Sequence, residues 1–466
     1  TTKKIKMVII LKRGTKKTIK YLNIETSNRY DKDISAGISG NINKLFFAAN
    51  YNTSFGPGIS AAEESLGYDE KDSYNIDSGN IIIDYDYNSS TEFSLTTRVF
   101  TSENEEDDAP SGPFLDADRN SNLLDWQSAL SLNKKYELFS VEASIETARA
   151  RRYQLKNARK FRWYIADLNV GRLKFNIPLN TKENFIFGVE TERAHMDTQD
   201  QYNAYDFKVS SSSSFYSYTN NTIKNLFIDG SFRSNHHDLF GLSTTYRVAA
   251  SYIISDSGFR LHSSYGTGYR APTLDEIYGS YGSTSIKEEY SRSRDIGIEY
   301  SSLKKNFVTD LTFFSTQIDN LIGYGPAPGY KFKNIGSAQN NGIEVFMKYI
   351  PNNNITINSH YNFLTTNNNG RSLSRRKKHS GKTSINWVPE DLNMLSINSI
   401  AEYHSNARDG AFAGGHIAGY ALFHSNINYT VDVNTKVQFK IENVLDQNYS
   451  EADTAGTYGR TLSLSL

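Results

Sequence analysis

Gly342-Ile343-Glu344-Val345-Phe346-Met347-Lys348-Tyr349 largely alternates apolar with polar or small side chains. The turn Pro351-Asn352-Asn353 follows, and alternation resumes through Ile355, Ile357, Tyr361 and Phe363. Successive side chains of an extended strand point to opposite faces, so each segment offers one apolar and one mostly polar face. The pattern recurs in Val437-Phe439-Ile441 against Lys436-Gln438-Lys440-Glu442, and in Leu462-Leu464-Leu466 against Thr461-Ser463-Ser465. This is hairpin sequence, and it runs from end to end without a linker or a shift of composition.

Working outward, short polar connections fall near Asn41–Asn43, Asn88–Ser90, Asn133–Lys135, Thr181–Glu183, Ser302–Asn306 and Pro389–Asn393. Between them lie long charged or Gly-rich stretches: Thr53–Tyr74, Thr101–Asn120, Gly266–Arg292, Ile318–Ala338, Thr365–Ser380 and His404–Gly419. Short turns on one rim and long loops on the other mark a transmembrane antiparallel β-barrel, with the turns periplasmic and the loops extracellular. Counting from Thr18–Thr26 to Tyr458–Leu466 gives about 22 strands, an even number that returns the chain to its starting rim. The expected fold class is therefore all-β. A large soluble all-β protein is the competing reading.

Composition agrees. The 466 residues carry 51 Lys+Arg and 51 Asp+Glu, and this balance argues against a nucleic-acid partner. Only 38% are hydrophobic, and no apolar run approaches the ~20 residues of a spanning helix. A barrel needs apolar residues on its outer face alone, and 31 Tyr and 26 Phe would supply its interfacial girdles. The absence of Cys excludes thiolate metal sites and disulfides.

Motifs for catalysis are weak. Gly266-Thr-Gly268-Tyr-Arg-Ala271 has dinucleotide-fingerprint spacing, but Pro272 sits where the helix should run and no parallel crossover surrounds it. His236-His237-Asp238 is expected to be solvated, since adjacent histidines on an extended segment diverge. With no His-Glu-x-x-His and no Gly-x-Ser-x-Gly, an enzyme is not expected; a membrane-embedded hydrolase with separated Ser and His stays open. Ser372–Lys382 is strongly basic, a solvated loop or a contact for lipopolysaccharide phosphates. The acidic loops say more. Glu103, Glu105, Glu106, Asp107, Asp108, Asp116 and Asp118 stand in one, and Asp69, Glu70 and Asp72 in the loop before it. Carboxylates so crowded repel unless spread apart or joined by a hard cation, for which calcium with 6–8 oxygen ligands is suited.

The stretch Ser264-Tyr-Gly-Thr-Gly-Tyr-Arg-Ala-Pro-Thr-Leu-Asp-Glu-Ile-Tyr-Gly279 resembles a signature of the TonB-dependent outer-membrane receptors. Ile441-Glu-Asn-Val-Leu-Asp-Gln-Asn-Tyr449, with Gly459-Arg460 before the last strand, is similar to that family's C-terminal segment. The resemblance covers residues 18–466, the barrel domain, and implies active import across the outer membrane of a Gram-negative bacterium. Phe55-Gly-Pro-Gly-Ile-Ser-Ala-Ala-Glu63 with Tyr68–Tyr74, and Glu106-Asp-Asp-Ala with Phe114-Leu-Asp116, resemble paired loops of the family's cobalamin-receptor branch.

That resemblance implies a corrinoid ligand and calcium held by Asp72, by Asp107 or Asp108, and by Asp116, with Asp69 or Glu70 assisting. A siderophore–iron receptor is the alternative within the family; a plugless porin or surface binding protein is the alternative outside it. Such receptors work with the TonB complex through an N-terminal plug. No plug or energy-coupling box is found here, so the plug is expected before Thr1 or on another chain, and residues 1–17 read as a remnant of the plug-to-barrel connection. A few residues are likewise expected beyond Leu466, where the family ends on an aromatic. Outer-membrane lipid and lipopolysaccharide would surround the barrel, with room for an accessory surface lipoprotein on the long-loop rim.

Overall fold

A computed structural model describes residues 18–60, 67, 70–108, 115–156, 159–200, 203–325, 331–409 and 415–466, without the side chains of 108 and 115–118. Residues 1–17, with their expected link to a plug, lie outside the described residues. Among the described residues, 22 strands form one antiparallel sheet that closes on itself. The first, Ile19–Ser27, pairs with the second and with the last, Thr461–Ser465, through Glu25↔Ser465, Thr26↔Leu464 and Ser27↔Ser463. Ile24 and Leu466 exchange both backbone hydrogen bonds at 3.0 Å, and half-buried Lys440 reaches across the seam to Glu25 at 2.6 Å. Closure satisfies the backbone groups that an open edge would leave bare in hydrocarbon.

The register sorts side chains by face. On strands Leu115–Lys135 and Ser140–Lys156, Leu130 lies opposite Ile145 and both point outward, 53% and 67% exposed. Leu95, Leu173 and Val189 continue this outward apolar band. Below it runs a ladder of rings: Phe139 to Phe175 at 6.4 Å, Phe175 to Phe187 at 6.1 Å, Phe187 to Tyr216 at 5.2 Å and Tyr216 to Phe232 at 6.3 Å. The inward face carries ion pairs instead. Arg172 contacts Glu190 at 2.6 Å and Glu146 at 3.6 Å, Arg233 shares Glu190, and Arg260 meets Glu299 at 2.6 Å. Greasy outside and polar within is the inverse of a soluble sandwich, and fits a sheet with lipid around it and a wet lumen.

The rims differ from the expected regular alternation of short and long connections. Glu103–Asp108 is strand, part of Thr91–Asp108, and the chain resumes as strand at Leu115. The charge of this stretch suggested a loop, but beyond the membrane both faces of a strand meet water, so pairing of Glu103 with Asn122 and Glu106 with Arg119 requires no apolar face. Six consecutive strands, from Thr91–Asp108 to Ala204–Asn220, have 17–22 residues each. The final five barrel strands, from His379–Trp387 to Thr461–Ser465, have 5–11. A spanning strand takes ~9–11, so the tall wing stands roughly 20 Å clear of the bilayer. The last strand begins at Thr461, after Tyr458, because Gly459 and Arg460 complete a loop in which the Arg460 amide donates to Asp446 at 2.6 Å.

Candidate functional site

The long-loop rim gathers three hydrogen-bonded clusters. The first is acidic. Carboxylate oxygens of Glu70, Asp72 and Asp107 lie within 4.8 Å of one another, Glu70 exposed and the other two set back from solvent. The buried Ser60 hydroxyl donates to Asp107 at 3.1 Å, and the Ser73 amide to Glu105 at 2.7 Å, so Ser60 and Ser73 are laced to the upper end of the strand Thr91–Asp108. Three expected ligands thus converge. Asp69 lies outside the described residues, as do the side chains of Asp108 and Asp116. An all-oxygen donor set of three carboxylates suits a hard cation such as calcium and no soft metal.

Gly58 lets these loops meet. Its φ is +67, and a methyl group there would overlap the Asp72 carbonyl oxygen. Gly58→Ala is expected to loosen residues 70–73 by about 1–2 kcal/mol through strain and overlap. Faster amide exchange there, with unchanged exchange in the barrel strands, is the measurement; unchanged exchange at 70–73 would refute the role of Gly58.

The second cluster ties two long loops to the tall wing. After Arg270 the chain forms one helical turn, Leu274–Tyr278, within the stretch Gly266–Arg292 expected to be a long loop. Thr273 and Glu276 cap it reciprocally, which outweighs the absence of helical periodicity. Arg270 fastens its base to Glu276 at 2.8 Å and Glu289 at 2.6 Å. Tyr278 then stacks on Phe207, an inward residue of the wing, with ring centres 3.8 Å apart, and Ser280 bonds Asp200. The hairpin of Ile322–Tyr324 with Phe332–Asn334 lies alongside: Phe332 donates its amide to Tyr281 at 2.8 Å, and Asn334 brackets Lys287 at 2.8 and 2.9 Å.

The third cluster centres on Asp409, whose side chain is fully buried. Arg375 donates to it at 2.9 Å, the Asp453 amide at 2.9 Å and Ser374 at 3.4 Å, while its own amide donates to Gly415. One carboxylate thereby joins three consecutive loops, 369–378, 405–419 and 443–460. Within the basic run, Lys377 sits 4.0 Å from the Tyr420 ring centre, and burial lowers its amine below the usual lysine range.

Sequence reasoning missed the second and third clusters. Thr273-x-x-Glu276 was a readable capping box; nothing local marked Asp409, whose partners are distant in sequence. The histidines diverge as expected, His236 exposed and His237 buried, though His237 is not solvated: its Nδ1 accepts from the Leu239 amide at 3.2 Å. The Gly266–Ala271 stretch ends an antiparallel strand, with no nucleotide fold around it.

The family described as "TonB dependent receptor-like, beta-barrel" matches residues 21–444. The Vitamin B12 transporter BtuB of Photobacterium profundum is 25% identical over 242 residues, 50% of this chain and 39% of that protein, so the match spans well under half of the relative. The copper transporter OprC superposes with a TM-score of 0.82 at 14% identity, over 96% of this chain and 80% of that one. A mutant of the ferric enterobactin receptor PfeA from Pseudomonas aeruginosa gives 0.82 at 14% identity, over 97% and 80%. The FrpB iron transporter (F3-3 variant) from Neisseria meningitidis gives 0.81 at 13%, over 97% and 81%. At such identities the structural likeness concerns the fold.

Proposed function

The chain belongs to the TonB-dependent receptor-like β-barrel family of the Gram-negative outer membrane, and from that premise we propose that it is the barrel of a receptor that binds and imports a corrinoid. The ligand would settle in the mouth between the tall wing and the tied loops, and TonB would drive release through a plug lodged in the polar lumen. The chain's own residues would bind and orient; no catalytic step is assigned to them. Calcium, held by Glu70, Asp72 and Asp107 with Asp69, Asp108 and Asp116 near in sequence, would neutralise the acidic rim and order it before the ligand arrives. Basic residues of the 369–378 loop would meet lipopolysaccharide phosphates, and the long-loop rim offers a seat for a surface lipoprotein.

What carries this reading is the convergence of Glu70, Asp72 and Asp107 in the loop pair that resembles the cobalamin branch. The test is titration of the full receptor, plug included, with cyanocobalamin in calcium and in a chelator. Calcium is expected to tighten binding about tenfold, within the usual range of coupling between sites. The double variant Asp72→Asn, Asp107→Asn should bind as weakly as the chelated protein and ignore calcium. Equal affinity in both buffers removes calcium from the account. Binding of a ferric siderophore with no binding of cobalamin overturns the corrinoid.

A further inference from the structure

The wing and the two tied loops hold a group of aromatic rings around one opposite-charged pair. Arg162 and Tyr164 are inward residues of the wing strand Arg159–Asn180, with the guanidinium 4.5 Å from the centre of the Tyr164 ring. The Arg162 Nε is shielded from solvent and has no hydrogen-bond partner among the described residues. Asp275, on the helical turn, is close enough to interact electrostatically with Arg162, Tyr164 and Tyr324. Burial pushes the Asp275 carboxyl up, with Arg162 opposing.

On the loop side, Tyr324 stacks on Phe332 at 4.2 Å and meets Tyr281 edge-on at 6.4 Å and 82°. Both tyrosines nevertheless stay open to the mouth, 51% exposed for Tyr281 and 58% for Tyr324. Apolar rings held out by hydrogen-bonded loops remain hydrated until something covers them, and their fixed geometry spares a ligand the entropy of ordering them.

We propose that Tyr281 and Tyr324, facing Arg162, Tyr164 and Asp275, form a ligand subsite for the flat apolar face of an amide-fringed macrocycle. The rings cover that face, the half-buried Arg162 guanidinium donates to a carbonyl or phosphate oxygen, and Asp275 accepts an amide hydrogen. The ligand class follows from charge. Arg162 and Asp275 offset each other, Arg152 near Tyr164 is engaged by Glu106, and Glu276 by Arg270, so these charges sum to zero and leave no cationic excess for a strongly anionic ferric chelate. The inference rests on the corrinoid reading and adds to it the residues that touch the ligand.

Cyanocobalamin titration of the full receptor tests it. Tyr281→Ala and Tyr324→Ala are each expected to weaken binding about 3- to 10-fold, the scale of one aromatic contact, whereas Tyr324→Phe keeps the ring and should keep the affinity. Arg162→Gln should weaken binding separately. All four leave the sheet intact, checked by resistance of the barrel to cold detergent. If the wild type binds and the alanine variants bind equally well, the subsite falls while the corrinoid reading stands. If the wild type takes only a ferric chelate, both fall.

Discussion

Arginine in place of Ile145 is expected to destabilise the folded barrel by about 2–4 kcal/mol, the scale of a cation near the mid-plane of a bilayer. Ile145 is 67% exposed, points outward, and is flanked by Leu130 across one strand pair and Gly171 across the other. In water its exposure would be a liability; in lipid it is the solvated state. The arginine must either strip its hydration or climb toward Arg149, two outward positions along the same strand, thinning the bilayer as it goes. Reversible unfolding in lipid vesicles reads the loss. Ser131→Arg is the control, since Ser131 faces the lumen between Ser94 and Ser144 and its new charge stays wet; it should cost less than about 1 kcal/mol. Equal effects at the two positions would mean that lipid does not contact the outward face.

The second large effect is expected from Asp409→Ala. The substitution strands the Arg375 guanidinium and the Asp453 amide without their shared acceptor. Removing one partner of a buried ion pair costs about 3–5 kcal/mol when both charges are enclosed; Arg375 keeps water on its far side, so about 2–4 kcal/mol is expected. All of it falls on loops and none on the sheet. Amide exchange in 371–378 and 450–456 should therefore accelerate by roughly 30- to 1,000-fold, while the barrel strands keep their protection. Asp409→Asn retains one acceptor oxygen and should lie between. Acceleration confined to the 405–419 loop would show that the three loops move separately.

Much of the barrel was legible because period-two alternation is a local property: Ile343 to Tyr349 and Leu462 to Leu466 declare their faces without knowing their neighbours. Strand ends were less legible. The alternation of Glu103 and Glu105 with Asn104 and Glu106 carries no hydrophobic contrast once the strand has left the bilayer, so only its ladder to 119–122 reveals it. In the acidic cluster, residue type pointed to two neighbouring loops, and the structure brings Glu70, Asp72 and Asp107 of these together. The Asp409 junction was invisible because it depends on residues 34 and 44 positions away. The Phe207–Tyr278 stack joins a barrel strand to a loop 71 residues later, and only folding reveals such a pairing.

The inward ion pairs have a bearing on traffic. Arg172, Arg233 and Arg260 each already lean on a glutamate of the same wall, so at these three positions a solute descending the shaft meets a neutralised pair and no naked charge. Mutually quenched pairs of this kind offer shallow footholds in place of one deep trap, which favours passage over retention along that part of the wall.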